Sequence, residues 1–424
     1  MSITAVLGCL YGDEGKGKII DALASDVDVT IRFQGGSNAG HTIKFDGNDH
    51  ILHLIPSGIF HSNQKCVLAT GVVIDLCQLE DEMNGLTEKG VSFSDRFYID
   101  ERASVVLRLH KFLDKKSEAD ANNEKIGTTQ RGIGPCYTDS ISRNGVKFYD
   151  LKNKDTLQKK ITNLYLLHHI EMNEAEILDQ IEDLQNHYAK VKEYVVNLPY
   201  LVDKWIKEGK NILFEGAQGS LLDVYFGTYP FVTSSHTIAG GIASAVGCSP
   251  KHIDQIIGVY KSYFTRVGSG PFPTELNDKI GEKIREQGHE YGSTTGRPRR
   301  CGWFDVVSAK YSTMINGVDS IALTLLDVLT GFDTLKICTG YDYGYHKNLY
   351  QENEFPADTS LLANIKPIYI ELPGWQEDIS TCKKWNDLPE NAKQYVLTLE
   401  SLLETPIRIV SVGPNRDQTI YVGK

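Results

Sequence analysis

The chain has eight cysteines in 424 residues, yet no C-x-x-C pair and no cysteine with a histidine at metal-ligand spacing. That pattern offers neither a zinc site nor a disulfide framework, and it reads as reduced thiols in a cytosolic protein. No stretch of about 18 uncharged apolar residues occurs, so a membrane span is not expected. The opening "MSITAVLGCL" lacks a basic region and a small-residue cleavage site, so secretion is not expected either. Positive charge is short: 44 Lys and Arg stand against 55 Asp and Glu, a net of -11. This argues against a nucleic-acid surface and means that anionic ligands need local basic clusters. No repeat, low-complexity tract or Pro/Gly/Ser linker divides the chain, which is therefore expected to be a single catalytic domain over residues 1–424.

What is present is a large apolar fraction, 41% of residues, enough for an extensive core. Short Val- and Ile-rich runs ("ITAVLGC", "DVTIRF", "CVLATGVV", "NILFEGAQG", "IDQIIGVY", "SIALTLLDVL", "TLKICTGY", "IRIVSVG") alternate with helical patterns such as "GKGKIIDALAS" and "LPENAKQYVLTLESLLE". The order predicts an α/β fold, a mostly parallel central sheet flanked by helices. From about 151 to 209 the pattern becomes charged helix with spaced Leu and Ile, read as a helical insertion within the domain.

The segment Gly12-Asp13-Glu14-Gly15-Lys16-Gly17-Lys18 fits the phosphate-loop spacing G-x-x-x-x-G-K, but Ile19 replaces the Ser or Thr that would hold magnesium. A strand before it and a helix after it let backbone N–H groups, the helix dipole, Lys16 and Lys18 meet an anion. Asp13 and Glu14 are the anomaly. On this loop alone, Asp13 either binds a cation or acts as a base, or else both carboxylates pair with the lysines in a solvated turn. The next strand ends in "QGGSNAGHT", where Asn38 and His41 stand among glycines that admit a ligand, and this favours the functional reading. "EKIGTTQRGIGPCY" and "FEGAQGSLLDVYFGTYPFVTSS" are further Gly-, Thr- and Gln-rich loops. In "GSTTGRPRRCGW", Arg297, Arg299 and Arg300 form a basic cluster suited to phosphate or carboxylate, against the alternative of a solvated basic turn.

As a set, "GDEGKGK", "QGGSNAGHT", "LHLIPSG", "IGTTQRGIGP", "FEGAQGSLLD", "GTYPFVTSS", "TRVGSGPFPTE", "STTGRPRRCGW" and "LLDVL" resemble the adenylosuccinate synthetase family in order and over essentially the whole chain. The resemblance implies a phosphate-loop NTPase-like fold and GTP-dependent ligation of L-aspartate to IMP through 6-phosphoryl-IMP, the first committed step from IMP to AMP. It makes Asp13 the base at N1 of IMP and a ligand of one Mg²⁺ per subunit, with the Gly40 carbonyl as a second ligand. His41 would be the partner acid, and Lys16 with the loop amides from Gly12 to Lys18 would hold phosphates. Thr42 and Arg299 would join the GTP site, while Asn38, Ala39 and Gly40 would line the IMP site together with Glu14 and Gly15.

Residue by residue, Gln218 resembles a contact near O6 of IMP, and Thr129 and Thr233 contacts near its 5′-phosphate. The loop Ser293, Thr294, Thr295, Gly296, Arg297, Pro298, Arg299 is similar to the family's aspartate-binding loop, with Thr295 and Arg297 at the carboxylates and Arg297 also beside IMP. Asp327 would accept hydrogen bonds from guanine N1 and N2, flanked by Leu325 and Leu326, with Ser411, Val412 and Gly413 completing the pocket. Leu325 stands where the family commonly has Lys. Arg143 matches a residue reaching the IMP phosphate of a neighbouring subunit, which implies a homodimer. A GTP-driven switch would share the phosphate loop without needing the arginine loop, and another phosphate-loop ligase would lack "NAGHT".

Overall fold

The computed structural model describes every residue except 46–47, 120–124, 126, 293–295, 347–348 and 424, and the side chains of 41–49 are likewise outside the description. Ten strands form the central sheet: β1 (Ile3–Gly8), β2 (Val29–Arg32), β3 (Lys65–Leu68), β4 (Phe97–Asp100), β5 (Val195–Val196), β6 (Ile212–Glu215), β7 (Gln255–Lys261), β8 (Ser320–Thr324), β9 (Ile407–Ser411) and β10 (Thr419–Tyr421). Their order is β10-β9-β8-β7-β1-β6-β2-β3-β4-β5. Every pairing is parallel except the one between β9 and β10. Strands β1, β2 and β6 are buried on both faces, with Ile3, Ala5, Ile31 and Phe214 on one side and Val6, Thr30 and Leu213 on the other almost fully enclosed. That two-sided burial explains runs that are continuously apolar instead of alternating. Because the strands run parallel, the loops after β1, β2, β6, β7 and β8 gather at one edge, where ligands of open α/β sheets bind.

Two sequence expectations need correction. "TLKICTGY" lies outside the central sheet: Thr334–Asp342 pairs antiparallel with Lys366–Pro373 and parallel with Phe304–Asp305 in a separate three-stranded sheet. An apolar run identifies a strand but not its partner. "CVLATGVV" divides, its first half forming β3 and Val73–Ile74 pairing with Ser104–Val105. Strand β4, "FYID", went unread because it is short and flanked by charge.

The stretch from 151 to 209 supplies helices Lys154–Leu167, Glu174–Val191 and Leu198–Lys207 and the edge strand β5. Asn173 caps the second of these, its side chain accepting from Glu176 N while Glu176 reaches back to Asn173 N. Leu157, Ile161, Leu164, Ile177, Ile181 and Leu184 then bury their apolar stripe against Leu76, Leu79, Phe97 and Ile99.

After the phosphate loop, α1 (Lys16–Leu23) ties the sheet to the chain's last segment. Arg416 donates from Nε and Nη2 to the two oxygens of Asp21 (2.7 and 2.6 Å), and His61 Nε2 lies 3.0 Å from Asp21 Oδ1. Burial works against this carboxylate, yet the hydrogen bonds from His61 and Arg416 hold it below the ordinary carboxylate range. A depressed carboxyl contributes stability above its unfolded pKa and loses it as pH falls. Asp21→Asn is thus expected to lower unfolding free energy by about 2 kcal/mol at neutral pH, a deficit that begins to shrink below about pH 4 and is lost as pH falls through the depressed folded-state value. Denaturant melts of both proteins at pH 7 and pH 3.5 check this; an equal deficit at both values refutes it.

Candidate nucleotide and phosphoryl-transfer site

The phosphate loop follows β1 through three left-handed positions, Gly12 (φ 86°), Asp13 (φ 59°) and Gly15 (φ 78°). Just before it, a Cβ on Gly8 would come within 2.4 Å of the Gln218 carbonyl and 2.5 Å of Glu14 Oε2, so only glycine fits. Glu14 is fully buried. Its Oε1 accepts from Leu10 N (3.0 Å) and Gly12 N (2.8 Å), and its Oε2 meets Lys16 Nζ at 2.6 Å. Lys16 Nζ also donates to the Gln218 carbonyl at 2.6 Å. Glu14 is therefore an internal brace, whereas Asp13, about one-third exposed, faces Arg299 Nε at 2.8 Å.

Lys18, expected beside Lys16 at the phosphates, stands elsewhere. Two residues along a helix are about 200° apart, so its amine leaves from the other side of α1. There it donates to Ser411 Oγ (2.5 Å) and to the carbonyls of Gly413 (2.6 Å) and Gln418 (3.0 Å). Burial pushes its pKa down to about 8, against the pull of Asp327 and Asp417.

At the end of β2, buried Arg32 shapes the second loop by donating to the carbonyls of Gln34 (3.3 Å), Gly36 (2.8 Å) and His53. Asn38 Oδ1 accepts from Gly36 N and from Gln218 Nε2, both at 3.2 Å. His41 and Thr42 open the strand His41–Phe45, and their side chains lie outside the described residues. Gln218, after β6, takes a left-handed backbone (φ 57°), and its Oε1 is buried without a partner. An unpaired buried amide oxygen is costly unless a ligand hydrogen reaches it.

These loops enclose a cavity of about 360 Å³, lined by Gly12, Asp13, Lys16, Gly40, Gln218 and Arg299 among others. Asn38, Thr129 and Gln218 also line an adjoining cavity of about 540 Å³, which includes Thr233. Together they have room for nucleotide-sized ligands. The second cavity is also lined by His168, from the end of the helix Lys154–Leu167, which sequence reasoning missed; its Nε2 lies 2.9 Å from Asp139 Oδ1. Arg32 and the buried residues Lys261 and Glu290 were missed too. Arg32 and Glu290 do stand beside glycine-rich segments, but nothing local marks the side chains themselves, and only their contacts across the fold reveal them.

Ser293, Thr294 and Thr295 lie outside the described residues. The loop that follows closes on itself, with Gly292 N donating to the Arg297 carbonyl (2.8 Å) and Tyr291 bridging Pro298. Gly296 is left-handed (φ 64°) and Arg297 is exposed. Arg300 is not available to a ligand as the basic cluster suggested: its fork closes on Glu275, Nε to Oε1 at 2.7 Å and Nη2 to Oε2 at 2.5 Å. Neighbours entering a strand point to opposite faces, so Arg299 and Arg300 cannot serve the same cavity.

Leu325 (φ 57°) joins β8 to the helical turn Leu326–Leu329. It packs half-buried against the apolar core, and Leu326 and Val412 are fully enclosed. Asp327 Oδ1 is buried without a partner, and burial raises its carboxyl even with Lys18 nearby. Thr324 Oγ1 donates to the Glu14 carbonyl at 2.7 Å, so this pocket and the phosphate loop are tied together. Arg143 (φ 70°) is exposed in the turn after the helix Ile133–Ile141; its backbone N–H donates to the Ser140 carbonyl at 3.2 Å, and its side chain has no hydrogen bond or ion pair among the described residues.

A glycine-rich turn from the first strand of a parallel sheet into a helix, opening on a nucleotide-sized cavity, places the molecule among phosphate-loop enzymes that act on nucleoside phosphates. The adenylosuccinate synthetase family model matches residues 5–420, and the chain belongs to that family. It is 47% identical to an adenylosuccinate synthetase of Thermodesulfovibrio yellowstonii over 99% of both chains, and 46% identical to one of Halothermothrix orenii over 99% of this chain and 98% of the other. The fully ligated adenylosuccinate synthetase of Plasmodium falciparum superposes with a TM-score of 0.94 at 40% identity, covering 99% of this chain and 100% of that one. The expected fold class, family and kind of enzyme are thereby borne out.

The unpaired Asp327 carboxylate suits a base edge made of donors, which guanine has and adenine lacks. Asp327→Ala is expected to abolish the preference for GTP over ATP, and Leu325→Lys to change apparent GTP affinity without admitting ATP. Steady-state rates with each nucleotide check both; a wild type that uses ATP as readily as GTP would overturn the assignment.

Proposed function

We propose that this chain joins L-aspartate to IMP at the expense of GTP, giving adenylosuccinate, GDP and phosphate in the cytoplasm. The observation that carries the reading is the convergence of Asp13, Lys16, Gly40, Gln218 and Arg299 on one cavity at the ends of β1, β2 and β6. Asp13 accepts the N1 proton of IMP, so that O6 forms a bond to the γ-phosphorus as the bond to the GDP oxygen breaks. Lys16 and the loop amides hold the phosphates, and His41 donates toward the departing GDP. Gln218 orients the purine at O6, and Thr129 and Thr233 hold its 5′-phosphate. The aspartate amine, its carboxylates on Thr295 and Arg297, then attacks C6 and releases phosphate.

Among the described residues no cluster of three or more His, Cys, Asp or Glu forms a self-sufficient metal cage. The Asp13 carboxylate and the Gly40 carbonyl line the same cavity and are hard oxygen donors, a partial set that fits Mg²⁺ completed by phosphate and water. When bound there, the ion supplies charge neutralisation between the phosphates. No helix among the described residues is long and apolar enough to cross a membrane.

Mixing the protein with GTP, Mg²⁺, IMP and aspartate and omitting each in turn tests the reaction. Phosphate release with all four and none without IMP or aspartate is expected; release from GTP alone would indicate a nucleotide switch instead.

A homodimer with Arg143 acting in trans belongs to the same proposal. The corner that carries exposed Arg143 also exposes Ile141 (82%), Leu166 (68%) and Leu167 (51%), an apolar cluster suited to a second subunit. Arg143→Leu and Asp13→Asn should each be nearly inactive alone. Mixed in equal amounts they should recover about a quarter of wild-type turnover, because half the dimers are hybrids with one intact site. Sedimentation showing a fully active monomer, or no recovery on mixing, would refute it.

A further inference from the structure

We propose that Glu290 is a positioning residue for the phosphoryl group transferred in the reaction above, acting through Arg299. The proposal rests on that reaction and adds a residue to which no role has been given. Glu290 and Lys261 are each 1% exposed and Tyr263 is fully buried, so all three lie beneath the cavity floor. The carboxylate divides its oxygens. Oε1 accepts from Lys261 Nζ (2.6 Å) and Tyr263 OH (2.5 Å), and Oε2 accepts from Arg299 Nη1 (2.7 Å). Arg299 Nε then lies 2.8 Å from Asp13 Oδ2 in an ion pair, with its N–H turned off the line to that oxygen and left without a hydrogen-bond acceptor. Charges alternate along the row from Lys261 through Glu290 and Arg299 to Asp13.

A buried carboxylate that merely neutralised Lys261 would not need Arg299. Here the second oxygen fixes one corner of a planar guanidinium, and fixing one corner fixes the whole plane. The guanidinium is thereby held in the cavity wall beside Asp13, with its Nε–H still without an acceptor. The backbone reinforces this: Arg299 N donates to the Glu290 carbonyl at 2.8 Å, at the base of the loop from 291 to 298. Burial opposes the Glu290 charge, but Lys261 and Arg299 hold the carboxyl below the ordinary range, so it stays an anion. A phosphoryl group beside Asp13 then meets an arginine already oriented, and stabilisation by preorganised charge is where such enzymes gain most. Without the Glu290 charge, Asp13 becomes the only anion left to Arg299, and the guanidinium settles on the base instead of facing the phosphoryl group.

The test compares Glu290→Gln and Tyr263→Phe with wild type in turnover, KM for IMP, thermal midpoint, and calorimetric affinity for GDP and for a non-hydrolysable GTP analogue. A small misplacement of a catalytic group can lower rate by about 10²-fold, so Glu290→Gln should lose kcat on that order while KM for IMP stays within about twofold. Its preference for the GTP analogue over GDP, which reports the arginine at the γ-phosphate, should shrink toward unity. Tyr263→Phe should show the same pattern more weakly. A lowered thermal midpoint with wild-type kcat and an unchanged analogue-to-GDP ratio overturns the proposal and leaves a structural ion pair. If Glu290→Gln does not fold, an unchanged ratio and kcat in Tyr263→Phe overturns it equally. A wild type without IMP-dependent turnover overturns the underlying reaction itself.

Discussion

The site depends on one buried carboxylate. Glu14 sits inside an anion cradle, where an unpaired charge would cost several kcal/mol. Leu10 N, Gly12 N and Lys16 Nζ all donate to it, which makes its presence stabilising. Through Lys16 it is tied to the Gln218 carbonyl after β6, and through its own carbonyl to Thr324 at the end of β8. Three loops from three strands thus converge on one residue. Their mutual geometry is set before any ligand binds, and that geometry is what a phosphoryl-transfer site has to control.

Glu14 also decides how charge is distributed. Lys16 is half of an ion pair, so the loop is not strongly positive by itself, and the other positive groups beside the cavity are backbone N–H groups, the start of α1 and Arg299. A protein with net charge -11 has little long-range pull on an anion, and its basic groups have to be placed locally. Three of them are held by acidic partners: Lys16 by Glu14, Arg299 by Glu290 and Asp13, Arg300 by Glu275. Pairing keeps the cations fixed while leaving selected N–H edges toward the cavity.

Much of this was legible in the sequence where local chemistry dictates structure. The glycine spacing of the first loop, the strand before it and the helix after it are local features. So are the short apolar runs of a two-sided sheet, and the core elements fell where they predicted. What was not legible is the consequence of contacts between distant segments. Asp13 and Glu14 are chemically alike and adjacent, but one faces the cavity and the other the interior, which depends on Leu10, Gln218 and Thr324 being near. The strand Thr334–Asp342 looks like its central-sheet counterparts because strand partners leave no local mark. Lys18 and Arg300 are different cases. Helical and strand periodicity already turns each away from its neighbour, so motif matching alone overstated the basic cluster at the ligand.

Backbone strain points to the same three strand ends. Among the described residues nine non-glycine positions have positive φ, and Asp13, Gln218 and Leu325 hold three of them, right after β1, β6 and β8. The left-handed region costs an ordinary L-residue about 1 kcal/mol or more, and such positions persist where the surroundings over-determine them. They lie five, three and one residues beyond the ends of β1, β6 and β8, and Asp13 and Gln218 line the cavity themselves. Leucine at 325 makes the point most sharply, since it has no polar side chain to hydrogen-bond locally and relieve the conformation. Its side chain is instead held by apolar packing, and the turn it enforces leaves half-buried Asp327, two residues on, with Oδ1 enclosed and unpaired. The placing of Asp327 therefore belongs to the backbone at 325 and to apolar packing, not to any polar group on the side chain at 325.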